Sequence, residues 1–246
     1  MVSFTPKTAQ QIPYLKMGDV HVWKISLEGA VEPNEFTSLS DDEILKIDRL
    51  RSQRHRAYAV SMKEQLRALL SCYMGLLPSD IRFQQAAFGK PYIIDSPISF
   101  NVSHSGSRAL VAITLEKELG VDIENWRHLD NLEGMVCRNF SKAEQAQWLN
   151  IADHDRMSTF FNIWTCKEAF IKATGRGLGL GVSRCGFSLS QPNQLLECPD
   201  EYGDVSHWTC VSIDVGDQTS ASLIVESNSC QPIIYAFDPD NPPQII

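Results

Sequence analysis

The pattern of apolar and polar positions predicts two helices in the first third of the chain. The segment Ser40–Glu43 reads Ser-Asp-Asp-Glu, a capping box in which the serine hydroxyl and the glutamate carboxylate each bond the other residue's backbone N–H. A helix is therefore predicted to begin there. After a basic stretch, apolar residues recur at helical spacing over 66–74, and Gly75 and Pro78 predict the end of this second helix.

Strand patterns follow in the middle of the chain. Residues 98–103 alternate apolar and polar positions with a period of two, which predicts a strand with one buried face. His104–Gly106 is predicted to turn the chain into a second, apolar strand over 108–115, and 120–124 is a third strand. Because the connections are short, we expect an antiparallel or mixed sheet and not a repeated βαβ arrangement.

The second half again alternates helices and strands. A second capping box at Ser141–Glu144 opens a helix that reaches Trp148, and a longer helix is predicted from about 157 to 173. Four glycines within 175–181 end that helix. Further strands are predicted at 185–190, 208–215 and 220–226, and an irregular tail at 239–246. The pattern as a whole indicates an α+β protein.

Composition narrows the possible partners. The 246 residues fit one large domain or two small ones, and 30 acidic against 22 basic residues give a net charge of −8. This charge argues against a protein that coats nucleic acid or an anionic membrane. The first twenty residues lack a signal-peptide core, and the longest apolar stretch, 109–115, is far shorter than the roughly 20 residues of a membrane span. We therefore expect a cytoplasmic protein with no nucleic-acid or membrane partner, whose seven scattered cysteines are reduced.

A basic stretch stands out in this acidic chain. Residues 46–67 carry seven basic and two acidic side chains, a local charge of +5, and 49–56 alone contains four arginines and His55. Such a run is either a solvated helix face or a phosphate-binding patch. The absence of an acid within 49–56 favours the patch.

Three further polar groups could carry chemistry. Asp122 and Glu124 lie two apart on a predicted strand, so both carboxylates share one face, where they are either ordinary surface acids or ligands of a hard cation such as Mg²⁺. Glu168 and Lys172, four apart on an aromatic-rich helix, are either a surface pair or, if buried, need each other, a metal or a ligand. Ser103 and His104 lie at a strand end. Their hydroxyl and imidazole groups either bind a phosphate oxygen or have a purely structural role in a turn. The chain contains no G-x-S-x-G, P-loop or G-x-G-x-x-G motif.

Four blocks taken together resemble a known family. These blocks are Gly89–Pro91, Phe100–Ser105, Gly120–Glu124 and Trp164–Lys172. In order and spacing they resemble the 4′-phosphopantetheinyl transferases of the surfactin-synthetase-activating type, over about residues 49–187. One block alone would be weak, whereas four in order are specific.

The resemblance implies a fold and a reaction. The expected fold is an α+β pseudo-dimer of two similar subdomains, 1–118 and 119–246, with coenzyme A in the cleft between them. Family members move the phosphopantetheine arm of coenzyme A onto a serine of an acyl, peptidyl or aryl carrier protein and release adenosine 3′,5′-bisphosphate, as holo-[acyl-carrier-protein] synthases do. A single chain that closes one cleft predicts a monomer.

The resemblance also implies roles for individual residues. Asp122, Glu124 and Glu168 match the metal ligands, which would hold Mg²⁺ or Mn²⁺. Asp122, Glu168 and Lys172 match the catalytic set: the expectation is that Glu168 accepts the serine proton, directly or through a water, and that Lys172 stabilises the departing bisphosphate.

The coenzyme A contacts are carried over in the same way, with one departure. Some members have Arg-Thr in the helix after the basic stretch where this chain has Ala59 and Val60, so other cations must bind the 3′-phosphate. The residues expected to bind coenzyme A are Gly89, Lys90, Pro91, Ser103, His104, Lys172, Arg51, Arg54 and Arg56.

Two other functions remain open from the sequence. One is a non-catalytic nucleotide-binding or scaffold protein, and the other is a different Mg²⁺-dependent nucleotidyl or phosphoryl transferase. For the transferase, we expect the carrier protein to contact the loop after Glu124 and residues 131–140, where Arg138 would meet acidic groups.

Overall fold

The computed structural model describes residues 7–8, 12–28, 38–177 and 181–237. The helices are α1 (Asp41–Asp48), α2 (Gln53–Met74), α3 (Leu132–Asn139), α4 (Lys142–Trp148) and α5 (Arg156–Thr174). The strands of the first half are β1 (Lys7–Thr8), β2 (Val20–Ser26), β3 (Phe83–Gln85), β4 (Pro91–Ile93), β5 (Ile98–Ser105) and β6 (Arg108–Leu115). The strands of the second half are β7 (Leu119–Asn125), β8 (Gly186–Phe187), β9 (Leu195–Glu197), β10 (Trp208–Ser212), β11 (Thr219–Glu226) and β12 (Ile233–Ala236). The fold is α+β, as predicted.

The local signals for helix ends are confirmed. Both capping boxes form, at Ser40 with Glu43 and at Ser141 with Glu144. Helices α2 and α5 end at Gly75 and Gly175, which adopt the left-handed backbone conformation, with φ of 64° and 67°. Glycine reaches this conformation without steric cost, so each of these positions stops its helix.

The middle strands do not form one sheet, and this prediction was wrong. Strands β5 and β6 pair antiparallel within a five-stranded sheet of order β1-β12-β2-β6-β5, whereas β7 pairs with β11 in a three-stranded sheet of order β10-β11-β7. The physical reason is that side chains of β5 (residues 101, 103 and 105) bond the backbone N–H groups of β7. These side chains take the place of a backbone ladder and separate the two sheets.

The predicted turn after β5 lies two residues too early. His104 and Ser105 still belong to β5, where they pair with Ala109 and Arg108 of β6. The chain reverses at Gly106, with φ of 59°, and Ser107. His104 is therefore a strand residue and not a turn residue.

Three apolar clusters hold the two sheets and the two long helices together. In the first, α2 packs Leu69 and Leu70 with Trp23 of the five-stranded sheet. In the second, α5 packs its aromatic residues with α3, α4 and the three-stranded sheet. The third joins residues of both sheets, among them Val22 and Val121, so the two halves share a core. Burial of this apolar surface is the main force that fixes the cleft between the halves.

The last described strand returns to the first half of the fold. β12 pairs in parallel with β2, although 119–246 was predicted to form the second subdomain. The boundary near residue 118 remains a prediction. Two other predicted strands are shorter than expected, at Gly186–Phe187 and Trp208–Ser212, and the predicted tail at 239–246 lies outside the described residues.

Two predictions about the chain as a whole can be compared with the structure. All seven cysteines fall in the described ranges, and none of them forms a disulfide there. Within those ranges, no helix is both long enough and apolar enough to cross a bilayer.

Candidate active site

Strand β7 presents two carboxylates on one face, as its alternation predicts. Val121 and Ile123 are fully buried in the core, and Asp122 and Glu124 point away from it. Asp122 is nevertheless only 5% exposed, because β5 and α5 cover it, and Glu124 is half-buried. Asp122 is therefore not an ordinary surface acid.

Lys172 of α5 and Ser103 of β5 bond the same oxygen of Asp122. The Lys172 Nζ atom lies 2.7 Å from Asp122 Oδ1, and the Ser103 hydroxyl donates to that oxygen over 2.8 Å. Lys172 also donates to Ser103 Oγ (2.8 Å) and to the carbonyl of Val121 (3.2 Å). All three N–H groups of the ammonium are thus used by the protein. The partner of Lys172 is Asp122 of β7 and not Glu168 of its own helix.

The second oxygen of Asp122 has no partner. Asp122 Oδ2 is buried, and no hydrogen-bond donor among the described residues reaches it. Burial raises the pKa of Asp122, and Lys172 and Ser103 act against this rise. A buried, unpartnered carboxylate oxygen is costly, which makes it a natural point for a cation or another donor to bind.

Glu168 lies one helical turn before Lys172 and is half-buried. Burial raises its pKa, and the negative charges of Asp122 and Glu124 raise it further, whereas Lys172 lowers it. Within the described ranges, its carboxylate makes no hydrogen bond and no ion pair. A carboxylate in such surroundings accepts a proton more readily than an exposed glutamate does.

The three predicted metal ligands fit a hard cation in chemistry but do not form a closed site. Oxygen-only donors and the unpartnered Asp122 Oδ2 suit Mg²⁺. The charges of Asp122 and Glu124 both raise the pKa of Glu168, so the three carboxyl groups lie near one another. As the side chains stand, however, the described part of the chain contains no group of three His, Cys, Asp or Glu that could hold a metal ion.

A cavity of about 280 Å³ lies beside these residues. The turn between β3 and β4, strand β5 and the end of helix α5 form its walls. The sequence analysis treated the Gly89–Pro91 turn and the helix positions Glu168 and Lys172 as separate candidate sites. The cavity brings them together. Its described lining residues are Phe88, Gly89, Lys90, Pro91, Asn101, Val102, Glu168, Ile171, Lys172, Gly175 and Gly177. We call this space the cleft cavity.

Lys90 fastens the turn to the second half of the molecule. Its Nζ atom donates to Glu118 Oε2 (2.6 Å), to the carbonyl of Leu119 (3.2 Å) and to the carbonyl of Ala173 (2.8 Å). Ala173 lies in the last turn of α5, where the helix dipole favours a positive charge. The ammonium is therefore engaged by protein acceptors, and Lys90 positions the wall of the cleft cavity.

His104 is exposed and faces several charges. Partial burial of its ring lowers the pKa of His104 all the same, and Lys172 and His55 lower it further, while Glu124 opposes them. His55 is the third residue of α2, so the start of that helix lies near His104. The sequence analysis included His55 only in the basic stretch. It missed that His55 lies near His104, because no local pattern connects α2 with β5.

The predicted arginines do not line the cleft cavity. Arg51, Arg54 and Arg56 are exposed, and Arg54 donates to the Tyr58 hydroxyl over 3.0 Å. A second cavity, of about 460 Å³, lies between α1, α2 and the β3–β4 hairpin. Its basic lining residues are Lys46, Lys63, Arg67 and Arg82. Two of these, Lys63 and Arg67, are paired with Glu43 over 3.2 and 2.7 Å.

Comparison with known proteins identifies the family. Residues 118–222 match the family model described as the 4'-phosphopantetheinyl transferase superfamily, and this range contains Asp122, Glu124, Glu168 and Lys172. The chain is 29% identical to the 4'-phosphopantetheinyl transferase HetI of Nostoc sp. over 226 residues, which cover 89% of this chain and 92% of HetI. It is 30% identical over 193 residues, 76% of each chain, to slr0495 of Synechocystis sp., whose name assigns the same activity provisionally.

A third relative is a protein of Bacillus subtilis. The chain is 36% identical to the 4'-phosphopantetheinyl transferase Sfp of Bacillus subtilis over 139 residues, 56% of this chain and 61% of Sfp. The chain belongs to the 4'-phosphopantetheinyl transferase superfamily. The family indicated by the four sequence blocks is thus confirmed.

Proposed function

We propose that this protein transfers the 4′-phosphopantetheine group of coenzyme A to a serine of an apo carrier protein. The products are the holo carrier protein and adenosine 3′,5′-bisphosphate. The observation that supports this most is the meeting of Asp122 from β7 with Glu168 and Lys172 from α5 beside the cleft cavity, in a chain of this superfamily.

The reaction requires a group that accepts the serine proton and positive charge that stabilises the negative charge of the phosphate oxygens. The serine oxygen of the carrier bonds to the phosphorus that bears the pantetheine arm, and the bond from that phosphorus to the bisphosphate oxygen breaks. Glu168 takes the serine proton, directly or through a water, because its carboxylate lines the cleft cavity and forms no hydrogen bond among the described residues. Lys172, which lines the cleft cavity and holds Asp122 in place, offsets charge that develops on the leaving bisphosphate.

We further propose that a divalent cation is required. Asp122, Glu124 and Glu168 are the residues that would hold Mg²⁺ or Mn²⁺, and Asp122 contributes an oxygen with no protein partner. When bound, such an ion supplies positive charge against the pyrophosphate oxygens. The three carboxylates would otherwise repel an anionic substrate, so Lys172 and the ion together make the site acceptable to coenzyme A.

The two cavities support a proposed placement of coenzyme A. We propose that part of it occupies the cleft cavity, against Gly89, Lys90 and Pro91. His104, exposed at the end of β5, would face its phosphates, and the buried Ser103 would contribute mainly through its bond to Asp122. For the 3′-phosphate, Arg51, Arg54 and Arg56 remain the proposal, and Lys46 and Arg82 of the second cavity are alternative cations.

Intact-mass measurement tests the proposal. The protein is incubated with coenzyme A, Mg²⁺ and apo acyl or peptidyl carrier proteins, and we expect the carrier to gain the mass of one phosphopantetheine group. A carrier in which the acceptor serine is replaced by Ala, and a reaction with excess EDTA, should show no gain. If no carrier in a varied panel gains mass, the transferase proposal fails, and a binding protein or a small-molecule transferase becomes the better explanation.

A further inference from the structure

We propose that Cys166 and Cys210 form an oxidation site, where hydrogen peroxide joins the two thiols in a disulfide that slows transfer to the carrier protein. The disulfide is argued from the arrangement of the two side chains alone. Its effect on transfer rests on the proposed function, because it acts through the helix that carries Glu168 and Lys172. Neither thiol takes part in the proposed chemistry.

The sulfur atoms of the two residues are in contact. The Cys210 thiol of β10 donates to Cys166 Sγ of α5 over 3.5 Å, and within the described ranges this hydrogen bond is the one that joins two cysteines. A disulfide bond is about 2.05 Å long, so the two sulfur atoms must approach by about 1.5 Å to form it. A small movement of α5 towards β10 is therefore enough.

The surrounding residues hold the Cys166 side chain towards the three-stranded sheet. Its sulfur donates to the carbonyl of Pro192 over 3.3 Å and lies 3.2 Å from the Ser222 hydroxyl of β11. Cys166 and Cys210 belong to the same apolar cluster of the second half. Because packing already restricts both side chains, joining them costs little further side-chain entropy.

Cys210 is the thiol that an oxidant reaches first. It is 8% exposed, whereas Cys166 is 0% exposed. Strand β10 lies at the edge of the three-stranded sheet, where a strand is paired on one side only and opens locally more readily than a central strand. Hydrogen peroxide is close to water in size, so a brief local opening admits it. Because such opening is required, oxidation should need sustained exposure to the oxidant.

The oxidation takes place in two balanced steps. The Cys210 sulfur attacks one oxygen of hydrogen peroxide, the O–O bond breaks, and a sulfenic acid and one water are formed. The Cys166 sulfur then attacks the Cys210 sulfur, the S–O bond breaks, and a second water leaves. The two thiol protons end in the two waters. Each sulfur loses one electron, and the two peroxide oxygens are reduced.

The disulfide acts on the side of α5 that carries the proposed chemistry. Cys166 and Glu168 are two residues apart, about 200° around the helix, so they lie on nearly opposite sides of it. Drawing Cys166 towards β10 therefore moves Glu168 and Lys172 away from their places beside the cleft cavity. A misplacement of about 1 Å can slow a reaction by up to about 10²-fold.

Peptide mapping of the wild-type protein tests whether the disulfide forms. The protein is treated with hydrogen peroxide, remaining thiols are alkylated, and trypsin and a glutamate-specific protease cut the chain. Cys166 is the single cysteine of 157–167, and Cys210 is the single cysteine of 202–226. We expect these two peptides to be joined, with the loss of two hydrogen atoms, in the treated sample only. Dithiothreitol should separate them. This measurement needs no variant.

A second cysteine pair provides the competing outcome. Gly186 pairs with Glu197 across β8 and β9, which places Cys185 opposite Cys198, and the digestion releases these two cysteines in two other peptides. A disulfide between Cys185 and Cys198 in place of the proposed one would overturn the assignment. The absence of any disulfide would show that Cys166 and Cys210 are core-packing residues only.

Transfer is then measured after the peroxide has been removed by gel filtration. We expect the oxidised wild-type protein to transfer about tenfold more slowly or worse, and dithiothreitol to restore the rate. Cys210→Ala should transfer as the reduced wild-type protein does and should not respond to peroxide. Cys185→Ala is the matched control at an equally buried thiol, and it should still be inhibited. Because coenzyme A has a thiol of its own, mapping is repeated after the assay to show that the disulfide persisted.

The outcomes separate this inference from the proposed function. A disulfide that forms without slowing transfer would refute the effect on α5. Inhibition by peroxide that persists in Cys210→Ala would assign the effect to another residue and overturn the proposal. If the reduced wild-type protein transfers nothing, the proposed function fails, and peptide mapping alone then decides whether Cys166 and Cys210 form the oxidation site.

Discussion

Glu168 is the residue on which the proposed chemistry most depends. Glu168→Gln keeps the size of the side chain but removes its capacity to accept a proton, so we expect transfer to the carrier to fall by about 10² or more. The fold should persist, because this carboxylate forms no hydrogen bond within the described ranges. The rate of mass gain by the carrier measures the first effect, and thermal unfolding measures the second.

The control for this variant is Glu201→Gln. Glu201 is exposed, pairs with Arg184 over 3.5 Å and lies outside the cleft cavity, so its replacement should leave transfer intact. Near-normal turnover by the Glu168 variant would contradict the role of Glu168 as proton acceptor.

His21 makes the stability of the fold sensitive to acid. It is buried, its Nδ1 atom lies 2.7 Å from the Tyr73 hydroxyl, and that hydroxyl accepts from Trp23 over 2.9 Å. Burial lowers the pKa of His21 below its ordinary value of 6.5, against the opposing charge of Asp19. The unfolded chain therefore binds this proton more readily than the folded chain. Stability from this group is complete above about pH 6.5 and is lost below it, by at most about 1.4 kcal/mol per pH unit.

Urea unfolding at pH 7.5 and pH 5.5 measures this loss. The same measurement on a His21→Asn variant gives the contribution of the other titrating groups, which both proteins share. The wild-type protein should lose more unfolding free energy between the two pH values than the variant does. An equal loss in both proteins would show that His21 does not contribute to acid sensitivity.

The charged residues of the site could be found from the sequence, but their partners could not. Strand alternation placed Asp122 and Glu124 on one face, and the resemblance selected Glu168 and Lys172. Helical spacing pointed to Glu168 as the partner of Lys172. The i, i+4 rule pairs only residues of the same helix, so it could not indicate a partner on a strand. The actual partner, Asp122, comes from a strand 50 residues earlier.

At the scale of elements, a buried ion pair anchors helix α5. Lys167 and Glu144 lie 2.7 Å apart with side chains that are 0% and 1% exposed, and Lys167 also donates to the carbonyls of Val182 and Cys185. Glu144 accepts from the backbone N–H of Phe187 over 2.8 Å. The pair thus ties α4 and the segment 182–187 to the helix that carries Glu168.

Lys167→Met should lower the free energy of unfolding by about 3–5 kcal/mol, because Glu144 is left as a buried charge without its cation. Urea unfolding measures this loss. Lys142→Met, at an exposed position of α4, is the control and should have little effect. A double variant with Glu144→Leu should recover part of the loss, and a change below about 1 kcal/mol in the single variant would contradict the argument.

Elements with local signals were predicted well, and elements defined by distant pairing were not. Capping boxes and left-handed glycines marked the ends of α1, α2, α4 and α5, since these signals act within a few residues. The assignment of β7 to the second sheet and of β12 to the first depends on partners about 100 and 200 residues away. A local pattern of apolar and polar residues does not indicate which distant strand a given strand pairs with.

For the whole molecule, contacts of three kinds join the two halves around the cleft. A shared core, the Lys90 contacts with Leu119 and Ala173, and the side-chain ladder between β5 and β7 all cross between them. Asp122 and Glu168 both lie in the second half, whereas Lys90 and Ser103 lie in the first. A change in the angle between the halves would therefore alter the distance from the proposed coenzyme A contacts to the proposed catalytic groups.

The surface that meets the carrier protein is proposed to include α3, with Arg138 exposed in its last turn. If the carrier presents an acidic helix, Arg138→Glu replaces an attraction with a repulsion. We expect KM for the carrier to rise about two- to fivefold at low salt, with KM for coenzyme A unchanged, and the difference should shrink as salt is added. Lys16→Glu, at an exposed position of the first half that forms no ion pair among the described residues, is the control for net charge. Equal KM values for the carrier in the wild-type protein and the Arg138 variant would remove α3 from the proposed docking surface.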